Sequence, residues 1–248
     1  MCALMWRHWA DQFVMSQWDH TNKIEWGDTT EDVTGCLRLS KPLLSSVGAT
    51  KDLYKRLNVN DTVFLMLDHQ AGLMSMVDDW QSNEHPRLLD IPVVLTSSIE
   101  DGPNGPLMPE VKSLLKNAVY VPRKGEINAW DNADVVKAIE ATGRKQIVMA
   151  GIVTDVCVTF PALSAVQEGY EVFAVLDASG TFNQGVRDSS LARMVQAGVQ
   201  PMNFFSTVCE LARDWRHFAD GSLGALFAKY IPDYKNLMTS YSAFAKSQ

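Results

Sequence analysis

The chain has 248 residues, 46% of them hydrophobic and 21% charged, with a formal net charge of −7 and a sequence pI near 5.2. That length and apolar content suit one sizeable domain, or one domain with extensions. An acidic chain without a Lys/Arg block lacks the basic face that nucleic acid or an anionic membrane needs, and no apolar run approaches the roughly 18 residues of a membrane span, so neither is expected as a partner and the chain reads as soluble.

Residues 1–57 differ from the rest and read as an N-terminal extension. They hold Trp6, Trp9, Trp18 and Trp26, four of the seven tryptophans. Trp6, Trp9 and Phe13 fall at helical spacing, which allows a short amphipathic helix, although a partly ordered extension is the simpler reading. The first 18 residues have no continuous apolar core and include Asp11, so they do not read as a signal or transit peptide, and a reduced cytoplasmic setting is the default. Four cysteines, Cys2, Cys36, Cys157 and Cys209, lie far apart with no C-x-x-C pair and no Cys/His cluster at zinc spacing. Neither a disulfide framework nor a metal site is expected from them.

A domain over 58–206 follows. TVFLML (62–67) is a continuous apolar run of strand length, as a strand buried on both faces requires. It ends in Asp68, and a carboxylate at the carboxyl end of a first strand is costly unless it is paired or used; a helix N-cap is the other reading. Residues 73–90, broken by Pro86, leave room for one compact helix from 73 to about 80 before IPVVLTS (91–97) forms a second strand. EDGPNGPLMP (100–109) is a Gly/Pro-punctuated loop at that strand's end, where an active-site rim is expected. A short strand at 119–121 delivers Arg123 and Lys124, which are either solvated loop charges or a cation beside a thiol and a carboxylate. Asp131 is expected to cap a helix over 132–141.

Residues 145–182 read as a βαβ unit: a strand at 147–150, a sharp turn, a helix with Cys157 in its first turn, and a strand at 172–176. Thr154 is the expected N-cap, and Gly169 ends the helix as a C′ residue would. At a helix N-terminus the thiol pKa should be lowered. A lone cysteine on a helix is commonly plain core. Its place just after a central parallel strand favours a nucleophile, because open α/β sheets bind ligands in that crevice. A helix over 187–197, a last short strand within 201–205 and a helical tail over 207–248 complete the pattern; the tail is expected to pack on the domain or on a neighbouring subunit. The glycines form no G-x-G-x-x-G or Walker sequence, and no cofactor is expected.

Six blocks, LDHQAG (67–72), GPNGPL (102–107), INAWDN (127–132), GIVTDVCV with FPALSA (151–165), DASGTFN (177–183) and IPDYKNLMTSY (231–241), resemble the isochorismatase-like cysteine hydrolases over 58–240, most closely their YcaC-type branch. The resemblance implies an α/β fold, a doubly wound and mostly parallel central sheet flanked by helices, in a homo-oligomer. It implies a triad of Asp68, Cys157 as nucleophile, and Arg123 at a position where the wider family has lysine and the YcaC branch arginine. It also implies a cis peptide at Val153–Thr154 and an oxyanion hole from the N–H groups of Thr154 and Cys157. Arginine cannot give up a proton at neutral pH, so proton transfer would fall to Asp68, with Arg123 holding charge and open to a substrate carboxylate. Gln70, Asn128, Trp130 and Phe182 are the candidate pocket residues. The metal cluster of nicotinamide-hydrolysing members has no counterpart here, and 73–90 is shorter than the family's helix at that place. The reading is a metal-independent cysteine hydrolase cleaving a small-molecule amide or related C–N bond through a thioester. The alternatives are a vinyl-ether hydrolase that uses the aspartate, and a non-catalytic oligomeric binding protein.

Overall fold

The computed structural model describes residues 55–77 and 89–246, all within the unit Asp52–Gln248. The expected helix around Trp6, Trp9 and Phe13 lies outside the described residues, as do 78–80 of the helix expected over 73–80; that helix starts earlier, at Ala71, and ends at Met74, with 75–77 non-helical. The strands are β1 (Thr62–Leu67), β2 (Val93–Ser98), β3 (Val119–Arg123), β4 (Gln146–Gly151), β5 (Glu171–Val175) and β6 (Gln200–Met202), and they form one sheet in the order β3-β2-β1-β4-β5-β6. Every pairing is parallel. The chain runs outward from β1 to β3 and then returns to lay β4 against β1. The switch point of this doubly wound sheet therefore lies at the carboxyl ends of β1 and β4.

Both central strands are buried at every position, which is why their sequences are continuous apolar runs instead of alternating ones. Successive residues still face opposite layers. Val63, Leu65, Leu67, Ile147 and Met149 enter one core with Val135, Ile139, Val158 and Ala162. Phe64, Met66, Val148 and Ala150 enter the other with Leu57, Leu95 and Leu211.

The helices are α1 (Ala71–Met74), α2 (Pro109–Leu114), α3 (Ala133–Glu140), α4 (Thr159–Gln167), α5 (Gln184–Gln196), α6 (Phe204–Ala212), α7 (Ser222–Tyr230) and α8 (Pro232–Ala245). Several ends differ from the sequence reading. Asn132, not Asp131, caps α3, its Oδ1 accepting from Asp134 N at 3.0 Å and Val135 N at 3.2 Å. Asp131 instead closes a 3₁₀ turn, Ala129–Asp131. Helix α5 starts earlier, at Gln184, because Asn183 Oδ1 caps Val186 N. The last strand stops at Met202 because Asn203 and Ser206 form a capping box that opens α6. Gly169 follows α4 with φ +89°, as its assignment as C′ requires. Among the described residues, no helix is long and apolar enough to cross a membrane.

Candidate active site

Strand β1 delivers Asp68 to the switch point. Its backbone is held in the left-handed region, φ +57°, by its N–H donating to Thr96 O at 3.0 Å and its carbonyl accepting from Gln70 N at 2.7 Å. Asp68 is not a helix cap; Gln70 occupies the N-cap position of α1.

Strand β3 ends in Arg123, two strands away on the same sheet edge. Both side chains are buried, 0% exposed for Arg123 and 1% for Asp68. One terminal guanidinium nitrogen donates to both oxygens of Asp68, at 2.5 Å to Oδ2. The other donates to Glu126 O and, at 3.4 Å, to Ile127 O. Nε donates to Thr96 Oγ1 at 3.0 Å, and that hydroxyl itself donates to Val121 O at 2.7 Å. Each of the three nitrogens of this buried guanidinium therefore has a partner.

The third member comes from the exit of β4. A π-helical turn, Thr154–Val158, leads into α4 and carries Cys157, whose thiol is free and hydrogen-bonded to Asp68. The expected lowering of the thiol pKa at a helix N-terminus is not what this environment produces. Burial raises it, and the charge and hydrogen bond of Asp68 raise it further, against smaller opposing effects of the Val153 N–H and Arg123. Burial also raises Asp68, opposed by Arg123 and by the thiol. A neutral Asp68 would leave the Arg123 cation buried without a counter-charge, so the carboxylate carries the negative charge and the thiol keeps its proton.

The donors around the sulfur also differ from expectation. Thr154 N–H is taken by Gly180 O at 2.9 Å, and Cys157 N–H by Val153 O at 2.9 Å. The cis peptide is Ile152–Val153, one residue earlier than expected. The backbone donor facing the sulfur is Val153 N–H.

Of the four candidate pocket residues, three are committed elsewhere. Gln70 is buried and works as a clamp: Nε2 donates to Ser98 O at 2.9 Å and Gly105 O at 2.6 Å, while Oε1 accepts from Ser98 N at 2.8 Å. Together with Ala71 N to Pro106 O and Gly72 N to Asn104 O, both 2.9 Å, it fastens the 100–109 loop to the segment leaving Asp68. At Gly72 the approach is so close that a Cβ would lie 2.1 Å from Pro103 O. Asn128 caps its own turn and donates to Ser164 Oγ at 3.1 Å. Trp130 packs in the core, edge-on to Tyr170 at 5.6 Å. Phe182 is 39% exposed.

The apolar side chains that meet Cys157 are others: Leu73, Ile152 and Val153, with Met74, Val77 and Val156 packed alongside. Leu73, Met74 and Val77 follow Asp68 at helical spacing, the signal from which they could have been read. His69 was also missed. It is buried with neither ring nitrogen hydrogen-bonded, and burial holds its pKa down to about 4. A cleft of about 670 Å³ lined by Ile91, Val93, Ala118 and Arg144 lies at the other, amino end of the strands and holds none of these groups. Among the described residues, no cluster of three His, Cys, Asp or Glu is placed to hold a metal.

The isochorismatase domain model fits residues 40–204, starting ahead of residue 58, where the resemblance read from the sequence begins. This chain belongs to the isochorismatase family. It is 50% identical over 205 residues to the Probable hydrolase YcaC of Escherichia coli (strain K12), covering 79% of this chain and 98% of that one. The crystal structure of Escherichia coli YcaC, an octameric hydrolase of unknown specificity, superposes with a TM-score of 0.74 at 52% identity, over 77% of this chain and 98% of that one. YcaC from Pseudomonas aeruginosa, solved with hexane-2,5-diol and covalent acrylamide, gives a TM-score of 0.72 at 53% identity, over 76% and 98%. The family and its fold are thereby shown for this chain, the YcaC-type branch included.

Proposed function

We propose that this isochorismatase-family hydrolase cleaves a small amide or related C–N bond with Cys157 as nucleophile, Asp68 as proton carrier and Arg123 as the charge that keeps Asp68 ionised. The observation that carries the reading is the buried line from guanidinium to carboxylate to thiol, each hydrogen-bonded to the next. A thiol whose pKa is raised is not a preformed thiolate; it needs a base in contact with it, and Asp68 is that base. As Asp68 takes the proton, a C–S bond forms and the carbonyl π pair moves to oxygen, with Val153 N–H at hand to receive it. The pair returns, the C–N bond breaks, and Asp68 gives its proton to the departing nitrogen, leaving a thioester. Water then attacks, Asp68 takes its proton, the C–S bond breaks and the thiol is restored.

Covalent acrylamide in the Pseudomonas aeruginosa relative supports the reading, since acrylamide is an unsaturated amide to which thiols add. The octameric Escherichia coli relative supports a homo-oligomer here. The test is ammonia release from a panel of small primary amides, with intact-mass trapping of the acyl-enzyme. Turnover that disappears in Cys157→Ala, with an acyl adduct on the wild type, is expected; ammonia release retained in Cys157→Ala would refute the thioester route, and a vinyl ether cleaved by both proteins with no amide turned over would favour an aspartate-driven ether cleavage.

A further inference from the structure

We infer that this site selects uncharged substrates and rejects carboxylates, even though an arginine stands at its centre. The inference rests on Cys157 being the nucleophile and adds the substrate class. The presence of Arg123 suggests an anion hook at first sight, but each of its nitrogens is already engaged: one by Asp68, one by Thr96 Oγ1 and one by the Glu126 and Ile127 carbonyls. A substrate carboxylate could reach the guanidinium only by displacing Asp68, the base, or by taking a donor from the Glu126 or Ile127 carbonyl. Its charge is likewise balanced one to one by Asp68. Arg123 is also the cation that acts on Asp68 and Cys157 among the described groups.

The surroundings point the same way. Cys157 packs against the apolar cluster of Leu73, Ile152 and Val153, which offers an anion no hydration. A carboxylate entering here would meet the like charge of Asp68 and an apolar wall. A carboxamide carries no charge to desolvate, and its oxygen can use Val153 N–H.

Two alkylating agents that differ in this property alone provide the test. Purified protein is treated with iodoacetamide or with iodoacetate at pH 7.5, and the labelling rates of Cys157 and Cys209 are followed by peptide mass spectrometry in the same samples. The iodoacetamide-to-iodoacetate rate ratio at Cys157 should exceed that at Cys209 by at least about tenfold, because the charged reagent must lose its hydration without gaining a partner. In Asp68→Asn, which releases the guanidinium from its counter-charge, the ratio should fall to that of Cys209 or below. Equal ratios at the two cysteines of the wild type would overturn the inference and leave the nucleophile intact. No labelling of Cys157 by either reagent, with Cys209 labelled, would overturn the nucleophile and the inference together.

Discussion

Arg123→Met tests the central electrostatic claim. The substitution keeps most of the aliphatic length and removes the charge that faces a carboxylate with 1% of its side chain exposed. Breaking a buried pair by removing one partner costs about 3–5 kcal/mol, because the other charge is left uncompensated, and the Thr96, Glu126 and Ile127 oxygens lose their donors as well. At about 1.4 kcal/mol per decade, that is a fall of roughly 10²–10⁴ in the folding equilibrium constant. Urea unfolding at pH 7 and one fixed protein concentration measures it, since an oligomer's stability depends on protomer concentration. The double variant Asp68→Asn/Arg123→Met removes both charges and should recover about 2 kcal/mol of the loss. The pH dependence has a definite sign. Without Arg123 the folded pKa of Asp68 rises further above its unfolded value, so protonation favours the folded state and the deficit of the single variant narrows as pH falls. A single variant within about 1 kcal/mol of wild type, or a double variant no more stable than the single, would refute the argument.

Two further expectations follow from the same region. His69, with a folded pKa of about 4 against an ordinary 6.5, is protonated more readily when unfolded; its contribution is present above pH 6.5 and lost as pH falls towards 4, by up to about 3 kcal/mol. The drop in urea-unfolding stability between pH 7 and pH 4.5 should therefore be smaller in His69→Leu than in wild type, and identical drops would remove the assignment. Gly72→Ala puts a methyl into Pro103 O, so it should cost about 3 kcal/mol and expose the 100–109 loop to limited proteolysis; a stability loss below about 0.5 kcal/mol would show that the clamp yields freely.

The edge on which Asp68, Arg123 and Cys157 meet was legible in the sequence because a parallel sheet places every strand's carboxyl end on one side. Three apolar runs, each followed by a chemical residue, were enough to gather the three residues there. The cap of α3 was harder to place. Asp131 and Asn132 are adjacent short acceptors of equal local merit, and the choice was made by a 3₁₀ turn that uses Asp131. Gln70, Asn128 and Trp130 looked available as pocket residues because their type was visible and their partners were not. Gln70 bonds Ser98, 28 positions away, and Asn128 bonds Ser164, 36 positions away.

The sequence by itself determined the strands, their likeness to one hydrolase family and the chemical groups at their ends, since periodicity and capping act over one to four residues. Only the tertiary structure decided the state of those groups. A helix N-terminus lowers a thiol pKa, yet burial and the carboxylate of Asp68, from a strand far back in the chain, raise that of Cys157. An arginine near a cysteine reads as an anion hook, yet Arg123 is occupied by Thr96 and Asp68, 27 and 55 positions away. Desolvation and hydrogen-bond commitment are set by groups distant along the chain, and they fix whether a residue is charged, free or already engaged.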